Sequence, residues 1–429
     1  MPPLSRWQII RAARLIDGTG APPVSDPTVV IRDGRIHQVF AGVPPAGQWP
    51  PDAPVLDQRG HTLLPGLIDA HVHLVLPGDG TPFETTVQEP DGVLALLAAE
   101  NARRALHAGI TTLRDCGGMR ETTLDLRRAQ RLGYAAGPRL HLCGRPITIT
   151  GGHCWYFGGE TDGPEGMRAM VRRLLKSGVD YIKIMATGGG TVGTMSWRPS
   201  YRAEELQAAV LEAHRFGRRV GIHSLCAEAT RQVLAAGADQ IEHAHFLVDP
   251  SGRQVFEPEV ADAIARARTP VTTTLAVGHY VLRALEARAD LPPEDQAALD
   301  RWRRMLASNM EQARRMRSAG VRLIAGTDAG WRFTPFDGLV AEMALLCEAG
   351  ATTQEAIAAA TSQAAAAMGI ESETGALREG LAADIIAVSG DPLTDLDVLR
   401  RPAMVMLRGT AVERSAGAPV PEGPRPIAA

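Results

Sequence analysis

Hydrophobic and polar residues alternate along the chain in two different ways. About the first 60 residues carry short apolar runs such as TVVIRDGRIHQVF, broken by Gly, Pro and Asp, which are typical of strands joined by turns. From Leu67 onward, each short apolar run is followed by a longer amphipathic stretch. The runs are LIDAHVH, ITTLRD, RLHLCG, DYIKIM, RVGIHS, DQIEHAH, PVTTTLAV and VRLIAGTD. Helices are predicted between them, notably over residues 91–107, 164–176, 202–216 and 296–318.

This alternation predicts the fold class. Eight strand candidates separated by helices indicate parallel βαβ units, and eight is the number that closes a barrel. After a helix predicted over 353–368, GALREGLAADIIAVSGDP and AMVMLRG return to short β runs, so the two chain ends look alike. We therefore expect an α/β protein, a (β/α)8 TIM barrel over 65–370 with a small β-sandwich domain formed by 1–64 and 371–412. Residues 413–429, rich in Pro, Ala and Gly, are expected to be a disordered tail.

Composition narrows the class of protein. The 429 residues are 45% hydrophobic and 22% charged, as in a soluble globular protein with more than one core. The net charge of −3 does not indicate a nucleic-acid or anionic-membrane partner. We find neither the apolar segment of a signal peptide nor a membrane-length apolar stretch. The five cysteines are scattered and fit reduced thiols, so a cytoplasmic location is expected.

Polar residues of metal-binding types close several predicted strands. In LPGLIDAHVHL, His71 and His73 lie on one face, about 7 Å apart, because strand side chains alternate. Taken singly, each such residue has an ordinary explanation, for example a helix N-cap for an aspartate. Together they would meet at the C-terminal mouth of the barrel, where a bound cation offsets the cost of burying them. The predicted ligands are His71, His73, Lys183, His223, His243 and Asp328.

Nitrogen and oxygen ligands without thiolate suit Zn²⁺, and also Mn²⁺, Co²⁺ or Fe²⁺. Six ligands are too many for one tetrahedral site with an open position, which indicates two metals. Two metals can polarise a carbonyl and deliver a hydroxide to it. Lys183 is the unusual member, because an ammonium would repel a cation; as a ligand it must be neutral or an anion.

The motifs together resemble those of the metal-dependent amidohydrolase superfamily. PGLIDAHVH is similar to its first-strand motif, IEH to its sixth, GTDAG to its eighth, and GALREGLAADIIAVSGDP to its closing β segment. The resemblance implies that CO₂ carboxylates Lys183 to a carbamate. It also implies that Asp328 is general base on the bridging hydroxide and then acid to the leaving nitrogen. The implied ligands are His71, His73 and Asp328 for one metal, His223 and His243 for the other, and Lys183 bridging both.

Two further segments, TGGHCWYFGG and KIMATGGGTVGTMSW, resemble the prolidase and carboxypeptidase-like branch, which includes Xaa-Pro and Xaa-Arg/Lys dipeptidases and ochratoxin amidohydrolases. This implies that His153 binds the scissile carbonyl or the substrate carboxylate, although it could simply support its loop. Tyr201 corresponds to a substrate-contacting tyrosine. Arg198 or Arg332 could hold a carboxylate through a bidentate pair, and His279 is another pocket candidate. The bulky CWYF and WRF segments depart from a simple prolidase and indicate an aromatic or apolar pocket.

The expected substrate is a small molecule, a dipeptide or N-acyl amino acid with a free carboxylate and an apolar or aromatic acyl side. One alternative keeps the enzyme class but hydrolyses cyclic amides, as imidazolonepropionases do, or ureas and carbamates. Another is a non-catalytic scaffold, which is disfavoured because such relatives usually lose metal ligands and all six remain here. We also expect the chains to assemble into a homo-oligomer.

Overall fold

The structure, a computed structural model, describes residues 7–45, 47–288 and 292–413. In chain order its strands are β1 (Trp7–Leu15), β2 (Val24–Ser25), β3 (Pro27–Arg32), β4 (Arg35–Ala41), β5 (Val55–Pro65), β6 (Leu67–Val72), β7 (Ile110–Asp115), β8 (Arg139–Leu142), β9 (Ile182–Met185), β10 (Val220–Ser224), β11 (Gln240–His243), β12 (Val271–Thr272), β13 (Leu323–Ile324), β14 (Ile385–Val388), β15 (Met404–Leu407) and β16 (Thr410–Ala411). The tail predicted from 413 onward lies, from 414, outside the described residues.

Helices occupy most of the stretches between the central strands. They are α1 (Phe83–Thr86), α2 (Asp91–His107), α3 (Thr122–Arg131), α4 (Gly163–Ser177), α5 (Ala203–Arg215), α6 (Ala227–Ala236), α7 (Pro258–Ala267), α8 (Ala276–Glu286), α9 (Pro293–Ser318), α10 (Leu339–Glu348), α11 (Thr353–Ala359) and α12 (Ser362–Met368). Within the described ranges, no helix is long and apolar enough to cross a lipid bilayer.

The eight central strands run parallel to one another. β6, β7 and β8 form one sheet, and β9 to β13 form a second. Single parallel bridges join the two, between Val72 and Ala329 and between Ile147 and Ile184. Each of the eight predicted runs contains one of these strands. Because neighbouring strands point the same way, their C-terminal ends lie at a common edge, and that edge carries the candidate site.

Strands from both chain ends pair in a separate eight-stranded sheet, in the order β16-β15-β14-β5-β1-β3-β4, with β2 on β1. β5 and β14 are antiparallel partners, with Ile385 opposite Pro65. Ile10, Val29 and Leu63 are among the residues that fill its core. This core is distinct from the larger clusters under the parallel strands.

The helix predicted over 353–368 is instead two helices, α11 and α12. The break lies at Thr361, whose hydroxyl hydrogen-bonds to the carbonyl of Ile357 and contacts that of Gly18. A threonine side chain bonded to a neighbouring carbonyl competes with continued helix formation. The pattern of apolar positions carries no sign of this local competition.

Candidate metal centre and active site

The six predicted ligand residues meet at the C-terminal edge of the parallel strands and line one cavity. The ring centroids of His71 and His73 are 5.5 Å apart, those of His71 and His243 5.1 Å, and those of His223 and His243 4.7 Å. The Asp328 Oδ1 atom lies 3.4 Å from His71 Nε2 and 3.3 Å from His73 Nε2. The four imidazoles and Lys183 are buried, whereas the Asp328 side chain keeps 14% of its surface exposed.

Two of these residues adopt left-handed backbone conformations, His243 with φ 68° and Asp328 with φ 60°. Non-glycine residues rarely do so, and such strain concentrates at functional sites. The Asp328 amide donates to the His71 carbonyl at 2.8 Å, which fastens the loop after β13 to β6. The backbone thus fixes the Asp328 carboxylate beside the first two imidazoles.

The protonated nitrogens of the first histidine pair are set by their partners. His71 Nδ1 lies 3.0 Å from the Glu242 carboxylate, and His73 Nδ1 lies 3.3 Å from the Gly117 carbonyl. Carboxylates and carbonyls only accept, so both Nδ1 atoms carry the proton. When each ring carries only this proton, its Nε2 lone pair is available to a ligand, and both Nε2 atoms face Asp328.

The second histidine pair is held in the same manner. His223 Nε2 donates to the Gly188 carbonyl at 3.1 Å, which leaves its Nδ1 lone pair free. His243 Nδ1 lies 2.7 Å from the Thr274 hydroxyl oxygen, which leaves its Nε2 for a ligand when Nδ1 donates. Burial and the neighbouring histidine charges lower the pKa of both imidazoles well below the ordinary value, so both are neutral. Neutral imidazoles are the form that binds metals.

Sequence comparison agrees with this geometry. Residues 62–412 match the model of the Amidohydrolase family. The chain belongs to this family.

Three similar proteins support the family assignment. The chain is 28% identical to an ochratoxinase of Aspergillus niger, over 92% of this chain and 84% of the relative. It is 29% identical to an imidazolonepropionase of Rhizorhabdus wittichii, over 88% and 92%. Among solved structures, a Xaa-Pro dipeptidase with bound methionine superimposes with a TM-score of 0.82 at 28% identity, over 95% of this chain and 100% of that one. These amidohydrolase relatives fit the prolidase-like branch, and the protein is a hydrolytic enzyme acting on carbon–nitrogen bonds.

Amidohydrolases generally use a metal centre, and the orphaned polar atoms here fit one. Ligand atoms of His71, His243 and Asp328 lie within 4.8 Å of one another. The Lys183 Nζ atom is buried without a hydrogen-bond partner, and so is Asp328 Oδ1. Burial alone would raise the pKa of the Asp328 carboxyl, but the His71 and His73 rings hold that pKa well below its usual range. A carboxylate oxygen and a buried lysine that lack hydrogen-bond partners are costly unless a further group completes the site.

His153 reaches the same cavity from the loop after β8. The Thr191 hydroxyl accepts from the Cys154 amide at 3.1 Å and lies 2.8 Å from His153 Nδ1, to which it can donate its own proton. Burial lowers the pKa of His153 to about 3, so the ring is neutral, and with Thr191 as the donor to Nδ1 it carries its proton on Nε2. A neutral N–H donor suits a carbonyl or carboxylate oxygen.

Aromatic side chains form part of the wall of the cavity, whose volume is about 360 Å³. Phe157 stacks on His73 with centroids 5.9 Å apart, and Tyr156 packs 4.8 Å from Phe157. Phe83, which lines a neighbouring depression, joins these rings from behind, 4.8 Å from Tyr156 and 5.0 Å from Trp331. We call Phe157, Tyr156, Phe83 and Trp331 the aromatic band. It runs from the histidines toward the rim, where Arg332 also lines the cavity.

Three predicted substrate residues lie elsewhere. Tyr201 is buried and donates its hydroxyl to the Thr161 carbonyl at 2.9 Å. Tyr201 and Arg198 line a different depression, and the His279 ring packs 5.1 Å from Tyr280. Of the predicted substrate residues, the structure brings His153 and Arg332 to the cavity and leaves these three outside it.

Sequence reasoning missed a buried carboxylate behind the histidines. Besides its bond to His71, Glu242 accepts from Arg114 at 2.7 Å, and the Arg114 guanidinium lies 4.0 Å from the Tyr181 ring centroid. The signal was present as the acid beside His243 in IEH, where strand alternation would point Glu242 away from the site. The left-handed turn at His243 ends that alternation.

Proposed function

We propose that the protein is a binuclear metal-dependent amidohydrolase that cleaves the amide bond of a dipeptide or N-acyl amino acid. The substrate carries a free carboxylate and an apolar or aromatic acyl group. The observation that carries this proposal is the convergence of four imidazoles, a lysine without a hydrogen-bond partner and a carboxylate on one cavity. The resemblance to a Xaa-Pro dipeptidase and an ochratoxinase supports it.

The proposed architecture is a closed (β/α)8 barrel over 65–370 with a β-sandwich domain formed by 1–64 and 371–412. The bridges at both seams between the parallel sheets support closure. The pairing of β5 with β14 supports a shared end domain.

In the proposed centre, His71, His73 and Asp328 hold one divalent ion and His223 and His243 the other. Zinc is favoured because the donors are nitrogen and oxygen, although Mn, Co and Fe share that preference. When bound, such ions polarise a carbonyl and make water a stronger nucleophile. Lys183 joins as a carbamate formed with CO₂, because a buried ammonium without an acceptor is unfavourable and a carbamate is an anionic ligand.

The chain's own residues would then transfer the proton and bind the substrate. The Asp328 carboxylate, ionised at neutral pH, accepts the proton of the attacking water and passes it to the leaving nitrogen. The Nε2–H of His153 holds the carbonyl oxygen. Arg332 holds the carboxylate, and the aromatic band packs against the acyl group, at roughly 25 cal/mol per Å² buried.

A pair of substrates tests the proposal. N-Benzoylphenylalanine and its C-terminal amide differ only in the carboxylate, and the first should have the higher kcat/KM. The purified protein should hold two divalent ions per chain by elemental analysis, and chelation should abolish turnover. Full activity without metal would refute the centre. Equal kcat/KM values would refute the carboxylate anchor and favour cyclic amides, ureas or carbamates, in line with the imidazolonepropionase relative.

A further inference from the structure

Helix α9 contributes one face to the rim of the cavity. Arg301, Met305 and Asn309 are spaced by four residues, which places them on one side of the helix, and all three line the cavity. Trp302 lies beside them and lines it too. A residue on α9 therefore faces the same space as the strand-end histidines, although no sequence motif marks it.

Arg301 shares this rim with Arg332, which arrives on the loop after β13. The Arg332 guanidinium lies 5.4 Å from the ring centroid of Trp302 and 5.6 Å from that of Trp331. Burial and the charge of Arg301 lower the pKa of Arg332. Two like charges thus face one cavity, and the indole rings limit how far one guanidinium can turn away.

Among the residues that the structure describes, no acidic side chain inside the cavity balances this pair. Asp328 is the one acid among the described residues that line it, and Asp328 belongs to the metal centre. Glu84 acts on Arg332 electrostatically but lines a neighbouring depression and is exposed. By contrast Arg303, two positions along α9, pairs with Glu286 at 2.8 Å. Arg301 and Arg332 make no ion pair with any described side chain of 7–45, 47–288, 292–293 or 295–413.

We propose that Arg301 and Arg332 form a dicarboxylate subsite, so that the enzyme prefers substrates whose leaving residue is aspartate or glutamate. This inference rests on the proposed amide hydrolysis. One guanidinium matches one carboxylate through two parallel hydrogen bonds. A single substrate carboxylate would leave the second arginine facing a like charge, whereas two carboxylates neutralise both.

N-Benzoylglutamate and N-benzoylglutamine test the subsite because they share a shape and differ by one negative charge. The native enzyme should favour the glutamate compound by roughly 10- to 100-fold in kcat/KM, as expected for a charge-assisted contact. Arg301→Gln should reduce this ratio to within about threefold of unity. The control is Arg304→Gln, an exposed arginine of the same helix that does not line the cavity, which should keep the native ratio.

A binding measurement separates the subsite from the reaction. By titration calorimetry, glutarate should bind the native protein at least tenfold more tightly than its monoamide, and Arg301→Gln should remove the difference. Equal binding of the two probes, or a preference that survives in Arg301→Gln, would overturn the subsite. If neither benzoyl compound is hydrolysed but glutarate binding still depends on Arg301, amide hydrolysis fails and the subsite stands. Hydrolysis of both compounds at equal kcat/KM would overturn the subsite alone.

Discussion

The floor of the cavity, formed by the six predicted metal ligands, and its rim, which carries Arg301 and Arg332, are built in opposite ways. On the floor, the four imidazoles and Lys183 are buried, and a carboxylate or carbonyl accepts the proton of three of the rings, His71, His73 and His223. On the rim, Arg301 and Arg332 are exposed and make no ion pair among the residues that the structure describes. The floor is pre-organised before any substrate arrives, as catalysis requires. The charges of the rim remain available to a ligand. We infer that the strand ends carry the chemistry, whereas α9 and the loop after β13 carry the selectivity for substrate.

The largest effect is expected on the floor of the cavity, from Asp328→Asn. The amide keeps the shape of the side chain but cannot accept the proton, so kcat should fall by about 10²- to 10⁴-fold. The protein should remain folded and keep much of its metal, which circular dichroism and elemental analysis check. Asp337→Asn, an exposed position on the same loop, is the control and should be fully active. Near-native kcat in Asp328→Asn would assign the proton transfer to another residue.

A second prediction concerns Glu342, a buried carboxyl on α10. It accepts from the Thr273 hydroxyl and the Ala276 amide, both at 2.7 Å, and burial raises its pKa from 4.5 to about 7. The folded state therefore binds an extra proton between these values, and the free energy of unfolding should fall as pH rises from about 5 to about 7, by roughly 3 kcal/mol.

Glu342→Gln should remove that part of the pH dependence. Urea unfolding at pH 5, 6, 7 and 8 measures it, and Glu348→Gln, exposed at the end of the same helix, should keep the native slope. Parallel curves for native and Glu342→Gln protein would show that the carboxyl does not titrate in this range.

Glu242→Gln tests whether the metal ligands of the floor are pre-organised. The substitution removes the charge that orients His71 while leaving a group of the same size, so metal affinity should fall by about 10- to 100-fold. Competition with a chelator measures this, and exposed Glu228→Gln is the control. The melting temperature of the metal-free protein shows whether the fold survives. An unchanged metal affinity in folded Glu242→Gln would contradict the orienting role.

The smallest effect is expected at the rim. Arg301→Gln and Arg332→Gln remove exposed charges without breaking an ion pair of the described chain, so each should change the free energy of unfolding by less than about 0.5 kcal/mol. Urea unfolding in matched buffers measures this. A loss of several kcal/mol would show that the rim stabilises the fold and would erase the contrast with the floor.

Strand alternation explains why so much of the floor could be predicted. A period of two puts His71 and His73 on one face, and the C-terminal ends of parallel strands share one edge. The role of Glu242 was not predicted because His243 leaves the strand conformation, which no alternation rule anticipates. The position of Arg301 at the rim was not predicted because it depends on how a 26-residue helix packs against the rest of the molecule.

Loop residues were predicted less well than strand residues. Tyr201 and Arg198 follow β9 in sequence, yet the chain turns so that the Tyr201 hydroxyl bonds to Thr161. His279 lies on α8, whose packing against α9 could not be read from its own residues. In each case the side chain's direction is decided by contacts with distant segments, and those contacts have no local signature.

The pairing of β5 with β14 has a consequence for biosynthesis. Pro65 meets Ile385, so about 320 residues must be made after the first partner before the second exists. At about 5–20 residues per second, the edge of β5 waits roughly 16 to 64 s on the ribosome. Because β6 begins two residues after β5 ends, the strand that carries His71 is synthesised beside this unfinished edge. The last strands to emerge therefore complete the sheet next to the first strand of the active site.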